Sequence, residues 1–229
     1  MRSALVVGSL GGIGRRVTST LLQSLDSVST VDIRQPSTRQ VDLSDFEREG
    51  SFFTWLDDLE SSSHPPDLIA WCAGVYDNTS LAEYLSDRIN RVIDINLVSA
   101  LHFLSTITRI QLRYPTPRRI VLLSSQAGVT GGTDAPYAAS KAGITAATKS
   151  VAREYAKLGL RANVVSPGPT DTPMADVMGG RRSYYEKAIP IGRFNTANEV
   201  ADTVCWLLTT SPDSLNGTVI DVDGGLVRR

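Results

Sequence analysis

Six short apolar runs, Ala4–Gly8, Ser27–Asp32, Asp67–Trp71, Arg119–Ser124, Arg161–Ser166 and Thr218–Val222, alternate along this chain with longer stretches of helical period. The helical stretches run from Gly12 to Leu25, Phe46 to Leu59, Ser86 to Arg113, Pro136 to Leu158 and Ala197 to Thr209. Strand followed by helix, repeated, predicts an α/β fold, a doubly wound parallel sheet with helices on both faces, because right-handed crossovers lay each helix over the sheet. The Pro- and Ser-rich patches at Ser61–Pro66 and Tyr114–Pro117 then read as loops rather than linkers. With 229 residues, 41% of them hydrophobic, the chain has the size of a single domain, 1–229, with one substantial core.

Charge and targeting signals narrow the function. A net charge of −1 without a long basic run argues against nucleic acid and against an anionic membrane as partners. A strand predicted within a few residues of Met1 leaves no room for a signal peptide, and no stretch has membrane-spanning length, so a cytoplasmic protein is expected. Cys72 and Cys205 lie among apolar neighbours and are expected to be buried reduced thiols. His64 and His102 are too few and too scattered for a zinc site, and no metal is predicted.

The segment Leu5-Val-Val-Gly-Ser-Leu-Gly-Gly-Ile-Gly-Arg-Arg16 falls at the first strand-to-helix turn, where open parallel sheets bind ligands. Asp32, at the end of the second run and about 20 residues on, can accept from a ribose diol. Strand, glycines, helix and acid together predict a Rossmann-type dinucleotide site, with the pyrophosphate at the helix N-terminus. NAD(H) is expected rather than NADP(H), since Asp32 would repel a 2′-phosphate; Arg34 pulls the other way.

A second constellation lies in Ser-Ser-Gln-Ala-Gly-Val-Thr-Gly-Gly-Thr-Asp-Ala-Pro-Tyr-Ala-Ala-Ser-Lys, residues 124–141. Tyr137 and Lys141 are four apart at the start of a predicted helix and share a face. A nearby ammonium favours the phenolate, letting a tyrosine exchange a proton near neutral pH.

These motifs together resemble the short-chain dehydrogenase/reductase family over essentially the whole chain. Gly8-x3-Gly12-x-Gly14 resembles its cofactor loop, Tyr137-x3-Lys141 its catalytic pair, Asn96 its catalytic asparagine and Ser166-Pro-Gly-Pro-Thr-Asp-Thr-Pro-Met174 its segment beside the nicotinamide. The resemblance implies that Tyr137 is the general acid/base, that Lys141 tunes it and holds the ribose, that Ser125 binds the substrate oxygen and that Asn96 anchors a water. It also implies a cofactor wall of Gly8, Gly11, Gly12, Ile13, Gly14, Asp32, Asp42, Ala73, Gly74, Tyr137, Lys141, Pro167, Gly168, Thr170 and Thr172. Val7, and Trp71-Cys72 where the family has two asparagines, depart from the pattern and put loop rigidity in question.

The choice of serine depends on the count: thirteen back from Tyr137 gives Ser124, whereas Ser-x-x-Gly128 gives Ser125. Adjacent strand residues face opposite ways, so only one can serve. The local match selects Ser125. Met174 to Arg193 forms a short segment over the site, with Met174, Met178, Tyr184 and Tyr185 as possible substrate contacts. The expected reaction is hydride transfer to or from a small ring-bearing secondary alcohol or ketone, a faint likeness to dihydrodiol dehydrogenases. The alternatives are a carrier-bound acyl ketone, docked through Arg181, Arg182 and Arg193, and a non-catalytic dinucleotide-responsive protein. Apolar residues on more than one face of the Ser86–Arg113 and Pro136–Leu158 helices predict a homo-oligomer, a tetramer by family resemblance.

Overall fold

A computed structural model describes residues 2–227, except for the side chains of Met178, Gly180 and Arg181. Seven parallel strands form one sheet in the order β3 (Arg39–Gln40), β2 (Ser27–Asp32), β1 (Ser3–Val7), β4 (Leu68–Trp71), β5 (Arg118–Leu123), β6 (Leu160–Pro167) and β9 (Val219–Val222). Their side chains alternate between two apolar layers. Leu5, Val7, Ile69, Trp71, Ile120 and Leu122 face α2 (Ser51–Ser61), α4 (Ser99–Arg113) and α6 (Ala135–Tyr155). Ala4, Val6, Leu68, Ala70, Val121 and Leu123 face α1 (Gly12–Leu22) and α8 (Ala197–Thr209). Burial on both faces explains why the strands read as continuous apolar runs.

The chain reverses direction across the sheet between β1 and β4, opening a crevice at the strand carboxyl ends. Gly8 makes the turn out of β1 with φ +77°, and a Cβ there would lie 2.6 Å from the Ala73 backbone. A Cβ on Gly14 would lie 2.1 Å from the Gly8 carbonyl oxygen, so this glycine lets α1 start against the turn.

Several expected boundaries differ. The helix expected over Phe46–Leu59 begins at Ser51, with Phe46 packed edge-on against Phe52 ahead of it. The long Ser86–Arg113 helix is α3 (Ser86–Ile93) and α4 joined by a π-helical turn over Asp94–Val98, which no period in the sequence signals. Val92 and Leu104 on it are buried and Leu97 packs against the core, so most of its apolar residues are covered within the single chain; Leu101 and Leu112 remain exposed. The first helix stops at Leu22, and α6 gives way at Tyr155 to one 3₁₀ turn that Gly159 ends at φ +91°. Short pieces that periodicity does not reveal are β3, α5 (Ala127–Thr130), the pair β7 (Thr170–Asp171) and β8 (Asn195–Thr196), and α7 (Arg182–Ala188). Among the described residues no helix is long and apolar enough to cross a membrane.

Candidate active site

Two adjoining cavities fill the crevice, and Ile13, Cys72, Ala73, Gly74, Thr172 and Met174 line both. The first is bounded by Gly8, Gly11, Gly12, Gly14, Asp32 and Asp42. The start of α1 opens onto it: Arg15 N–H makes the first helical bond, to Gly11 O at 3.0 Å, and no side chain caps the amides before it. Such an end, lined by glycine, has the donors and the dipole for a pyrophosphate. Burial works to raise the pKa of Asp32, but hydrogen bonds from the Arg34 side chain and the Leu10 amide outweigh it and hold the carboxyl below its ordinary value. Leu10 N–H reaches Oδ2 at 2.8 Å and Arg34 Nε reaches Oδ1 at 3.0 Å, so the acid is charged and fixed in place. The donors, cradle and acid fit a nicotinamide dinucleotide.

The second cavity is bounded by Ser125, Tyr137, Lys141, Pro167, Gly168 and Thr170. Tyr137 sits in the first turn of α6, whose N-cap is the buried Asp134; its Oδ1 accepts from Tyr137 N–H at 3.0 Å. Burial raises the pKa of the Tyr137 phenol, and a hydrogen bond with the Ser125 side chain works against that rise. The Ser124 hydroxyl instead donates to Lys141 O at 2.8 Å and accepts from Thr145 at 2.9 Å, which ties β5 to α6. Lys141 Nζ donates to Leu123 O at 3.0 Å, and burial lowers its pKa to about 8. The Cys72 thiol, on the wall shared by both cavities, is pushed up to about 12 by burial and is a protonated free cysteine, as is Cys205.

Asn96 does not line either cavity. Fully buried in the π-helical turn, it accepts from Val75 N–H at 2.7 Å and donates to Val75 O at 2.9 Å and to Ser140 Oγ at 3.2 Å. Its side chain therefore clamps the strand-end loop that carries Gly74, where a Cβ would stand 3.1 Å from Lys141 Nζ and 3.2 Å from Asn96 Oδ1. Every other residue expected in the catalytic set and the cofactor wall lies on a cavity wall. Met174 and Tyr185 also reach the second cavity, Tyr184 is 72% exposed, and Met178 and Arg181 fall outside the described side chains. Arg182 is bound to Asp171 and Glu186, and Arg193 to Glu199, so neither is an uncommitted docking charge. Trp71, in place of a polar residue, packs in the core with its ring centroid 4.7 Å from that of Phe103 and tilted to it by 37°.

Sequence reading missed Tyr76, Asn78 and Asp134. Asp134 carried a signal, since an Asp one residue before Ala-Pro marks a helix start. Tyr76 and Asn78 stand in a loop without period.

Residues 13–227 match the family model described as Enoyl-(Acyl carrier protein) reductase. The chain is 30% identical to the 3-oxoacyl-(acyl-carrier-protein) reductase MabA of Mycobacterium avium, over 98% of this chain and 89% of that one. It is 28% identical to the reductase FabG of the same description from Salmonella typhimurium, over 97% and 96%. A short-chain dehydrogenase family protein from Francisella tularensis superposes with a TM-score of 0.85 at 28% identity, covering 99% of this chain and 98% of that one.

Proposed function

The chain belongs to the short-chain dehydrogenase/reductase family of nicotinamide-dependent oxidoreductases, and from that premise we propose that it reduces the ketone of a 3-oxoacyl group presented as a carrier thioester. The observation that carries the chemistry is the Tyr137 phenol hydrogen-bonded with Ser125 on the wall of the cavity that adjoins the glycine-lined one. The relatives' names favour the acyl ketone over a ring-bearing alcohol. The aromatic rings of Tyr76, Tyr137 and Tyr185 around the cavity favour the ring-bearing alcohol, which stands as the second reading.

When bound, the nicotinamide supplies or takes the hydride. Tyr137 delivers the matching proton from its hydroxyl to the substrate oxygen, and Ser125 donates to that oxygen as its charge develops. Lys141 would hold the nicotinamide ribose through its ammonium, and Asn96 acts indirectly by fixing the Val75 backbone. An intact proton-transfer set argues against the non-catalytic alternative.

NAD(H) is the proposed cofactor, on the buried, charged carboxylate of Asp32. Arg34, with its side chain 57% exposed, is the group a 2′-phosphate would recruit, and NADP(H) is the second reading. The exposed Leu101 and Leu112 support a homo-oligomer, with four subunits expected.

The test is steady-state turnover of an acetoacetyl thioester against a cyclic ketone, each with NADH and NADPH. Turnover of the thioester by NADH supports the reading. Turnover of the cyclic ketone alone transfers it to the second substrate class, and no turnover of either overturns both.

A further inference from the structure

Tyr76 lies just beyond β4 and lines the catalytic cavity, with its ring 4.9 Å from the Tyr137 ring at an interplanar angle of 62°. It therefore stands beside the ring whose hydroxyl must meet the substrate oxygen, in the cavity that Met174 and Tyr185 also line. Its position is held from outside the cavity. The Tyr76 hydroxyl donates to Asn78 Oδ1 at 2.9 Å, and Asn78 Nδ2 donates at 2.9 Å to the carbonyl of Val177, in the 3₁₀ segment Pro173–Arg181 that covers the site. The amides of Asp77 and Asn78 both donate to Asp134 Oδ2 at 3.0 Å, while the other oxygen of that carboxylate caps the helix of Tyr137. Asn78 is also the one non-glycine residue with positive φ, +51°, among the described residues. An L-residue adopts that conformation at a cost, which its side-chain and backbone bonds here offset.

Resting on the carbonyl-reduction reading above, we propose that Tyr76 is the specificity-determining wall of the site, locked against Tyr137 by Asn78, which couples it to the covering segment. The space left between Tyr76 and the covering segment must hold the groups that flank the ketone. A branch next to the carbonyl meets the Tyr76 ring, and an unbranched chain passes it. Loss of the ring opens that side, and loss of the latch lets ring and cover move apart.

The experiment compares kcat/KM for an acetoacetyl thioester and its 2-methyl-branched analogue in Tyr76→Ala, Tyr76→Phe and Asn78→Gly. Glycine keeps the positive φ and removes only the side chain, which separates the latch from backbone strain. Tyr76→Ala is expected to raise the branched-to-unbranched ratio about tenfold or more. Tyr76→Phe and Asn78→Gly shift it the same way by a smaller factor, with dinucleotide affinity unchanged in all three. An unchanged ratio in Tyr76→Ala overturns the wall, and an unchanged ratio in both others overturns the latch. Amide exchange across residues 174–177 gives a readout independent of turnover, expected to quicken in Asn78→Gly. If wild type reduces neither thioester, the reaction reading falls, and unchanged exchange in Asn78→Gly then overturns the proposal itself.

Discussion

The Nζ of Lys141 donates to the Leu123 carbonyl at 3.0 Å and stands 5.7 Å from the centroid of the Tyr137 ring, so the lysine is anchored to the end of β5 beside that ring. Sequence spacing alone suggests an ammonium that lowers the tyrosine pKa. In the folded protein, burial is the largest influence on both groups, raising the phenol and lowering the lysine to about 8. Burial thus favours the protonated phenol, the form the proposed carbonyl reduction needs.

The depressed lysine has a consequence for stability. Its folded pKa, about 8, lies below the ordinary 10.5, so between those values the unfolded chain binds more protons and stability climbs with pH. The cost of the buried charge is fully present below about pH 8, and its ceiling is about 3 kcal/mol. Denaturant unfolding from pH 7 to 10 should show wild type gaining stability relative to Lys141→Met. Parallel profiles would contradict the buried charge.

Ser124 and Ser125 should separate cleanly. Ser125→Ala removes the donor to the substrate oxygen and is expected to lower kcat on the order of a hundredfold. Ser124→Ala breaks the link from β5 to α6 and should cost about 1 kcal/mol of stability with kcat nearly normal. The reverse pattern in kinetics and melting would exchange their roles.

Asp32→Ala should weaken NADH binding about tenfold or more, by loss of charged hydrogen bonds to the ribose, and improve NADPH relative to NADH. Fluorescence titration of both dinucleotides measures it. Tighter binding of NADPH to the wild-type protein would overturn the NAD(H) assignment and give Arg34 the deciding role.

Light scattering at micromolar concentration should give a mass above that of one 24.7 kDa chain, four chains being expected. Leu101 and Leu112, 44% and 62% exposed on one face of α4, are the apolar contacts at issue, and Leu101→Asp with Leu112→Asp should lower the mass. A monomeric wild type would refute the assembly.

What the sequence made legible follows from local physics. Burial against helical layers on both faces made β1, β4 and β5 continuous apolar runs, and the glycines that steric crowding requires at Gly8 and Gly14 marked the turn. The π-helical turn at Asn96 was hidden, because an apolar run keeps its composition whether it closes every four residues or five. The exposed apolar faces expected of Ser86–Arg113 were mostly absent, because α2 and α6 cover them alongside the sheet. Tyr76 and Asn78 were illegible for a different reason: their partners, Tyr137 and Val177, lie far along the chain and come near only through the fold.

The central claim is that the Tyr137 hydroxyl moves the proton that accompanies hydride transfer. Single-turnover reduction by NADH, followed through nicotinamide absorbance in Tyr137→Phe, tests it with the ring and its packing kept. The expected result is a rate lower by about a hundredfold to ten-thousandfold with dinucleotide affinity within a few-fold of wild type. A Tyr137→Phe protein that turns over at the wild-type rate would contradict the account.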